Sequence, residues 1–267
     1  MSPRARYDAV VVGAGPNGLA AAITLARAGR SVVVYEARDT VGGGCRTQTL
    51  TLPGFRHDVC SAIHPLALAS PFFRALPLAD FGLEWMQPDI PLAHPLPGGR
   101  AALLDRAFTA LGATLGKDDA RAWRRLFEPL VAHEPLLIEQ ILAPLRPRFQ
   151  ATHPAASRAF ARFALLGVRS AHSLAEHRFH GEAARALFGG MAAHAIRPLD
   201  RSLTAAVGLL LGLTAHAVGW PIPRGGSQAI ADALAGYLLQ LGGEIETDTA
   251  IEALDQHPPA RAVLCDV

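Results

Sequence analysis

The apolar positions begin with a short unbroken block. Tyr7 to Val12 (YDAVVV) is β-branched and bounded by glycine, the pattern of a parallel strand buried on both faces. Gly13-Ala14-Gly15-Pro16-Asn17-Gly18 follows, and then LAAAITLARAG has helical composition and spacing, stopping at Gly29 as a C′ residue. Ser31 to Glu36 (SVVVYE) reads as a second buried strand, completing a βαβ unit of about 30 residues. The pattern then breaks up. Arg38 to Thr47 is rich in glycine, while Leu83 to Met86 and Pro91 to Leu96 read as strands, the latter closed by Pro97-Gly98-Gly99. From about Ala101 to Ala217 the periodicity is mostly helical, with Pro129, Pro135, Pro144, Pro147, Pro154 and Pro198 expected to cut it into separate elements. After Pro223-Arg224-Gly225-Gly226, the positions Ile230, Leu234, Tyr237, Leu238 and Leu241 repeat at helical spacing until Gly242-Gly243. Glu244 to Leu254 reads as short strands and Ala262 to Val267 as an apolar strand. A buried strand at the last residue leaves a parallel sheet half built, so the expectation is the N-terminal part of a longer protein.

Composition narrows the class. The 267 residues are 50% hydrophobic and 18% charged, which excludes a disordered tail and provides for one large or two small cores. A net charge of +2 argues against nucleic acid as the partner. Lys117 is the only lysine and Asp118 follows it, so there is no phosphate-binding G-K-[ST] loop. Three cysteines, Cys45, Cys60 and Cys265, exclude a disulfide scaffold and fit a reducing compartment, and no leader pattern precedes Tyr7; a cytoplasmic location is expected. Leu203 to Ala215 is apolar, and no charge lies between Arg201 and Arg224. It is too short to span a bilayer, so a buried helix is expected, with a peripheral membrane contact left open.

Gly13, Gly15 and Gly18 form G-x-G-x-x-G after a strand and at the start of a helix. The first glycine allows a tight turn, the second lets backbone approach a pyrophosphate, and the third lets helix and strand pack closely. Glu36 ends the second strand, where a carboxylate accepts hydrogen bonds from a ribose diol. This fingerprint does not choose between NAD and FAD. Gly42-Gly43-Gly44-Cys45-Arg46-Thr47 would let a second loop lie against the dinucleotide, with Arg46 neutralising phosphate and Thr47 donating a hydrogen bond.

The run DAVVVGAGPNGLAAAITLARAGRSVVVYEARDTVGGGCRT resembles the N-terminus of the FAD-dependent oxidoreductases of the phytoene desaturase and amine oxidase superfamily. Its phytoene dehydrogenase-like members, similar to the pyridine nucleotide-disulfide oxidoreductase domain proteins, are the nearest in pattern. GWPIPRGGSQAIADALAGYLLQLGGEIETDTAIEAL is similar to the segment where the family's chain re-enters its FAD domain. The resemblance implies an α/β fold: a Rossmann-type FAD-binding domain (1–82 and 221–267, incomplete) interrupted by a mainly helical substrate domain (83–220). It implies FAD held by Gly13, Ala14, Gly15, Pro16, Asn17, Gly18, Glu36, Ala37 and Arg38, then Gly42, Gly43, Gly44, Arg46 and Thr47, with a backbone contact near Ile251. The family's G-G-R-x-x-[ST] arginine falls on Gly44 here, and Arg46 stands two residues on. The family's C-terminal flavin-side motif has no counterpart in the chain. The implied activity is hydride transfer between FAD and a small apolar, isoprenoid or lipid-like substrate. The alternatives are a truncated, non-catalytic dinucleotide-binding module and an NAD-binding regulator.

Other constellations carry less. A disulfide reductase needs a second cysteine close to Cys45, and Cys60 is distant in sequence. His172, His177 and His180 could share one side of a helix but lack carboxylate partners, so no metal is expected. Trp85, Trp220, Phe72 and Phe73 read as core. Catalytic residues and oligomeric state are not legible.

Overall fold

The computed structural model describes residues 6–143 and 154–267. Its strands longer than two residues are β1 (Tyr7–Val12), β2 (Val32–Tyr35), β3 (Leu92–Leu96), β4 (Arg100–Leu104), β5 (Glu244–Glu246) and β6 (Ala260–Cys265). The longer helices are α1 (Pro16–Arg27), α2 (Lys117–Val131), α3 (Glu134–Leu142), α4 (Pro154–Gly167), α5 (Ala171–Arg178), α6 (Glu182–Ala192), α7 (Thr204–Ala217) and α8 (Gln228–Gln240). They fall into two compact units. The first takes the described part of Met1–Ile63 with Leu76–Met86 and Ile222–Val267. The second takes His64–Ala75 and the described part of Gln87–Pro221. His64–Ala75, expected with the dinucleotide half, therefore clusters with the helical unit.

The first unit is built on a parallel sheet in the order β6-β1-β2-β5. Val10 pairs with Val263 on one side and Val33 on the other, and Val10, Val11, Val33 and Val34 are fully buried. Continuous valine runs are what a strand covered on both faces requires. Helix α1 packs on β1, β2 and α8. It opens with Pro16 in the first turn, where a missing N–H leaves no bond unmade, and Gly29 beyond its end takes the left-handed conformation expected there. Of the strands expected over Glu244 to Leu254, only β5 forms.

The second unit is a helical core with one hairpin. Trp123, Phe127, Phe179 and Phe188 are fully buried at its centre. Helix α7, the apolar stretch, packs against α2, α4, α5 and α6. Ala205, Leu209, Leu213 and Ala215 are fully buried, as expected of a core helix. Gly212 admits the Phe127 ring into space that a side chain would fill. Among the described residues, no helix is long and apolar enough to cross a membrane.

Two expectations fail here for physical reasons. Arg100–Leu104, read as the start of the helical region, is strand β4 paired antiparallel with β3. The Pro97–Gly99 turn folds it back, with Gly98 and Gly99 both left-handed, so pairing across the turn overrides local helical composition. Pro129 does not break α2. The Arg125 carbonyl, which residue 129 would have bonded through its N–H, instead accepts a hydrogen bond from Arg162 Nη2 at 2.9 Å. Pro135 and Pro154 do sit in the first turns of α3 and α4. Pro144 and Pro147 lie outside the described residues. Trp220 is buried core, whereas Trp85, Phe72 and Phe73 are half-buried.

One ionisable group is locked inside the helical core. His216 stacks on Phe108 with ring centroids 3.6 Å apart, and its Nε2 accepts from Trp123 Nε1 at 3.0 Å. Burial pushes its pKa down to about 4, although its contact with the Arg106 carbonyl works the other way. The neutral imidazole is thus the folded form. Below the ordinary value of 6.5 the unfolded chain takes up a proton that the folded chain refuses, so stability falls as pH drops from 6.5 towards 4. Urea unfolding across that window is expected to lose about 3 kcal/mol through this group. His216→Gln is expected to remove that part of the acid slope.

Candidate functional site

The ends of β1, β2 and β6 open onto one hollow of about 280 Å³. Carboxyl ends of parallel strands are where such sheets take their ligands. The turn after β1 is tied down by the Gly13 N–H, which donates to the Tyr35 carbonyl at 2.7 Å. A Cβ on Gly18 would strike the Gly13 carbonyl oxygen, so α1 can lie on this turn only if residue 18 is glycine.

Glu36 is the hub. It is 7% exposed, and its carboxylate accepts three hydrogen bonds. The Ala14 N–H donates to Oε2 at 2.9 Å, and the Arg38 N–H donates to Oε1 at 3.0 Å. Arg46 Nη2 donates to the same Oε1 at 3.0 Å and also to the Thr40 carbonyl at 3.1 Å. A buried carboxylate needs such partners. The second glycine loop rests on the first: the Gly42 N–H donates to the Ala14 carbonyl at 2.9 Å. Gly43, with φ at +51°, lies against the Gly15 Cα too closely for a side chain. On the opposite wall, the Thr249 N–H donates to the Glu36 carbonyl and the Asp248 N–H to that of Arg38. These bonds bring the Thr249–Ile251 segment to the hollow.

Gly13, Gly15, Glu36, Ala37, Arg38, Gly43, Arg46 and Ile251 line the hollow. Ala14 supports it from below through both its N–H and its carbonyl, and Pro16, Asn17 and Gly18 open α1 behind it. Gly42, Gly44 and Thr47 are not among its lining residues. The Thr47 hydroxyl, expected to donate towards a dinucleotide, donates to Asp58 Oδ1 at 2.6 Å and accepts from the Gln228 N–H at 3.0 Å. Asp58 Oδ1 also accepts from the Ser227 N–H at 2.8 Å. Thr47 therefore stitches the glycine loop to the start of α8. Arg46, expected to face phosphate, faces Glu36.

One residue went unnoticed in the sequence. Asp266 follows β6, its N–H donates to the Val12 carbonyl at 2.8 Å, and its Oδ2 accepts from the Gly18 N–H at 2.7 Å. A carboxylate thus sits on the N-terminal end of α1, the position that favours an anion. An acid at the end of a strand beside β1 was the available signal.

Cys45 is buried beside Ser61, and burial pushes its thiol pKa up, which disfavours a thiolate. His172, His177 and His180 are exposed. Among the described residues, no group of three or more His, Cys, Asp or Glu is placed to hold a metal.

With this geometry in place, the profile of the family described as "Flavin containing amine oxidoreductase" matches residues 17–267. The chain belongs to that family, its fold is the mixed α/β fold expected from the sequence, and its cofactor is FAD. Among curated proteins it is 42% identical over 79 residues to the rat (Rattus norvegicus) pyridine nucleotide-disulfide oxidoreductase domain-containing protein 2, covering 29% of this chain and 13% of that protein. It is 36% identical over 90 residues to a limonene dehydrogenase subunit of Castellaniella defragrans, covering 34% of this chain and 16% of that one. A solved structure of wild-type putrescine oxidase bound to putrescine superposes with a TM-score of 0.54 at 22% identity, covering 91% of this chain and 51% of that one. That likeness concerns the fold. The chain spans about half the length of the putrescine oxidase structure it matches.

Gly18→Ala is expected to lower the unfolding free energy by about 1–3 kcal/mol, because backbone must move to admit the methyl group. Urea denaturation checks this, and an unchanged midpoint would mean that the turn does not need glycine there.

Proposed function

We propose that this chain carries the dinucleotide-binding part and the substrate domain of an FAD-dependent oxidoreductase that removes a hydride from the carbon next to an amine nitrogen. The observation that carries the dinucleotide part is the buried Glu36 carboxylate at the rim of a hollow floored by Gly13 and Gly15. The residues present fit the adenosine half of FAD. The glycines present no Cβ to the hollow, Glu36 supplies an acceptor for ribose, and the Thr249–Ile251 backbone forms a wall for adenine. Of roughly four acceptor positions on a carboxylate, three are filled by Ala14, Arg38 and Arg46, leaving one on Oε2 for a ribose hydroxyl. Arg46 in this reading holds Glu36 in place and does not itself meet phosphate. FAD, when bound, supplies the two-electron acceptor; the chain's own residues bind and orient it.

The amine substrate class is supported by the family's description and by the fold shared with putrescine oxidase. A second reading, an apolar substrate, is favoured by the likeness to the limonene dehydrogenase. Both readings come from relatives that this chain matches only in part, about half in the case of the putrescine oxidase structure.

Glu36→Ala is expected to weaken FAD binding by about 1–3 kcal/mol, the scale of a lost charged hydrogen bond. Equilibrium dialysis measures it, and an unchanged affinity removes Glu36 from the ribose site. Anaerobic mixing of FAD-loaded protein with putrescine or with limonene separates the substrate classes. Bleaching of the flavin absorbance by putrescine alone supports the amine reading, and bleaching by limonene alone supports the apolar one. Bound FAD bleached by neither identifies a dinucleotide-binding module without this chemistry.

A further inference from the structure

The net charge is only +2, but the cations are unevenly spread. From Gln140 to Ala175 the sequence contains no Asp or Glu and five arginines. Part of this run meets α2, on which both α4 and α5 pack. Arg178 at the end of α5 lies within electrostatic range of Arg162 on α4, Arg169 in the link after α4 and Arg125 on α2, and the Arg162 guanidinium itself reaches the Arg125 backbone. Burial first, then Arg162, Arg169 and Arg125 in turn, push the Arg178 guanidinium below the usual arginine range, and no carboxylate offsets them.

The acids of the same helices are committed elsewhere. Glu128 pairs with Arg124, Glu176 pairs with Arg185, and Asp119 accepts from the N–H groups of His180 and Gly181. Among the described residues, no ion pair reaches Arg125, Arg162, Arg169 or Arg178. Arg162 Nη2 donates to the Arg125 carbonyl that Pro129 leaves open, yet its buried Nε has no hydrogen-bond partner. Arg169 Nη2 donates to Ser173 Oγ at 3.0 Å. An arginine with three others in electrostatic range, unused donors and no counter-charge is unfavourable by itself. The planar forks of these side chains match the oxygens of a phosphate.

We propose that Arg125, Arg162, Arg169 and Arg178 form a second binding site, in the helical unit, for a phosphate-type oxyanion such as a phosphomonoester or diphosphate. The exposed Leu165 and Val168 stand beside Arg162 and Arg169. The oxyanion therefore has two sources of the same chemistry, a free phosphorylated small molecule or the headgroup of an anionic phospholipid.

The test uses protein saturated with FAD, so that the dinucleotide hollow is filled. Inorganic pyrophosphate is titrated by calorimetry, and flotation is measured with vesicles of phosphatidylglycerol and of phosphatidylcholine. The wild type is expected to bind pyrophosphate with a Kd below about 1 mM. The double variant Arg162→Gln/Arg178→Gln is expected to weaken it at least tenfold, while Arg201→Gln, an exposed arginine outside the cluster, leaves it unchanged. Flotation with phosphatidylglycerol alone, lost in the double variant, supports the headgroup; pyrophosphate binding without flotation supports the free ligand. Absence of both pyrophosphate binding and flotation overturns the proposal, as does equal pyrophosphate affinity in wild type and double variant. Should circular dichroism show the double variant unfolded, Arg178→Gln alone is measured, since no hydrogen bond is assigned to Arg178 among the described residues. Because the comparison is between arginine variants, failure to load FAD does not imitate failure of this site.

Discussion

The Glu36 carboxylate ties together the segments around the hollow of the parallel-sheet unit. It takes the Ala14 N–H from the turn after β1, the Arg38 N–H from the loop after β2, and the guanidinium of Arg46 from the second glycine loop. Three segments separated in sequence thereby converge on two oxygen atoms. The carboxylate is buried, and removing any one donor would leave part of its charge uncompensated. The hollow depends on this convergence, because the glycine floor, the loop that leans on Gly15 and the Thr249–Ile251 wall are bonded to Tyr35, Ala14 and Glu36 respectively. The same group that shapes the rim also provides its remaining acceptor.

The helical unit is organised by volume rather than charge. Helix α7 has apolar residues on all sides and is largely buried, with Ala206, Val207, Leu210 and Leu211 half-buried. Gly208 and Gly212 complete the arrangement by making room for the rings of Phe188 and Phe127. The one polar ring at the centre, His216, is tolerated because Trp123 and the Arg106 carbonyl occupy its two nitrogens. Its protonation would break that pairing, which ties core packing to acidity.

Much of the parallel-sheet unit was legible because its signals are local. β1, the glycine turn, α1 and β2 are each encoded within a few residues, and the α8 periodicity is equally plain. The errors lie where partners are distant. β4 was missed because its strand state comes from pairing with β3 across a glycine turn. Pro129 was read as a break because the guanidinium that repairs the helix comes from Arg162 on another helix. Thr47 and Arg46 sit in the expected loop, but their hydrogen bonds go to Asp58 and Glu36, a choice among several nearby acceptors that spacing cannot make. Asp266 escaped notice because its significance depends on β6 lying beside β1.

Asp266 also changes the meaning of the glycine turn. The free end of α1 is already met by an anion belonging to the chain, held by a backbone bond to Val12 and a side-chain bond to Gly18. A phosphate arriving at the Gly18 N–H would replace a carboxylate rather than water. Loading the turn is then an exchange of one anion for another, and its balance turns on how far Asp266 can swing away from the Gly18 N–H. The turn is neutralised before any ligand comes, so an empty α1 N-terminus is not a cost that the unloaded fold has to bear.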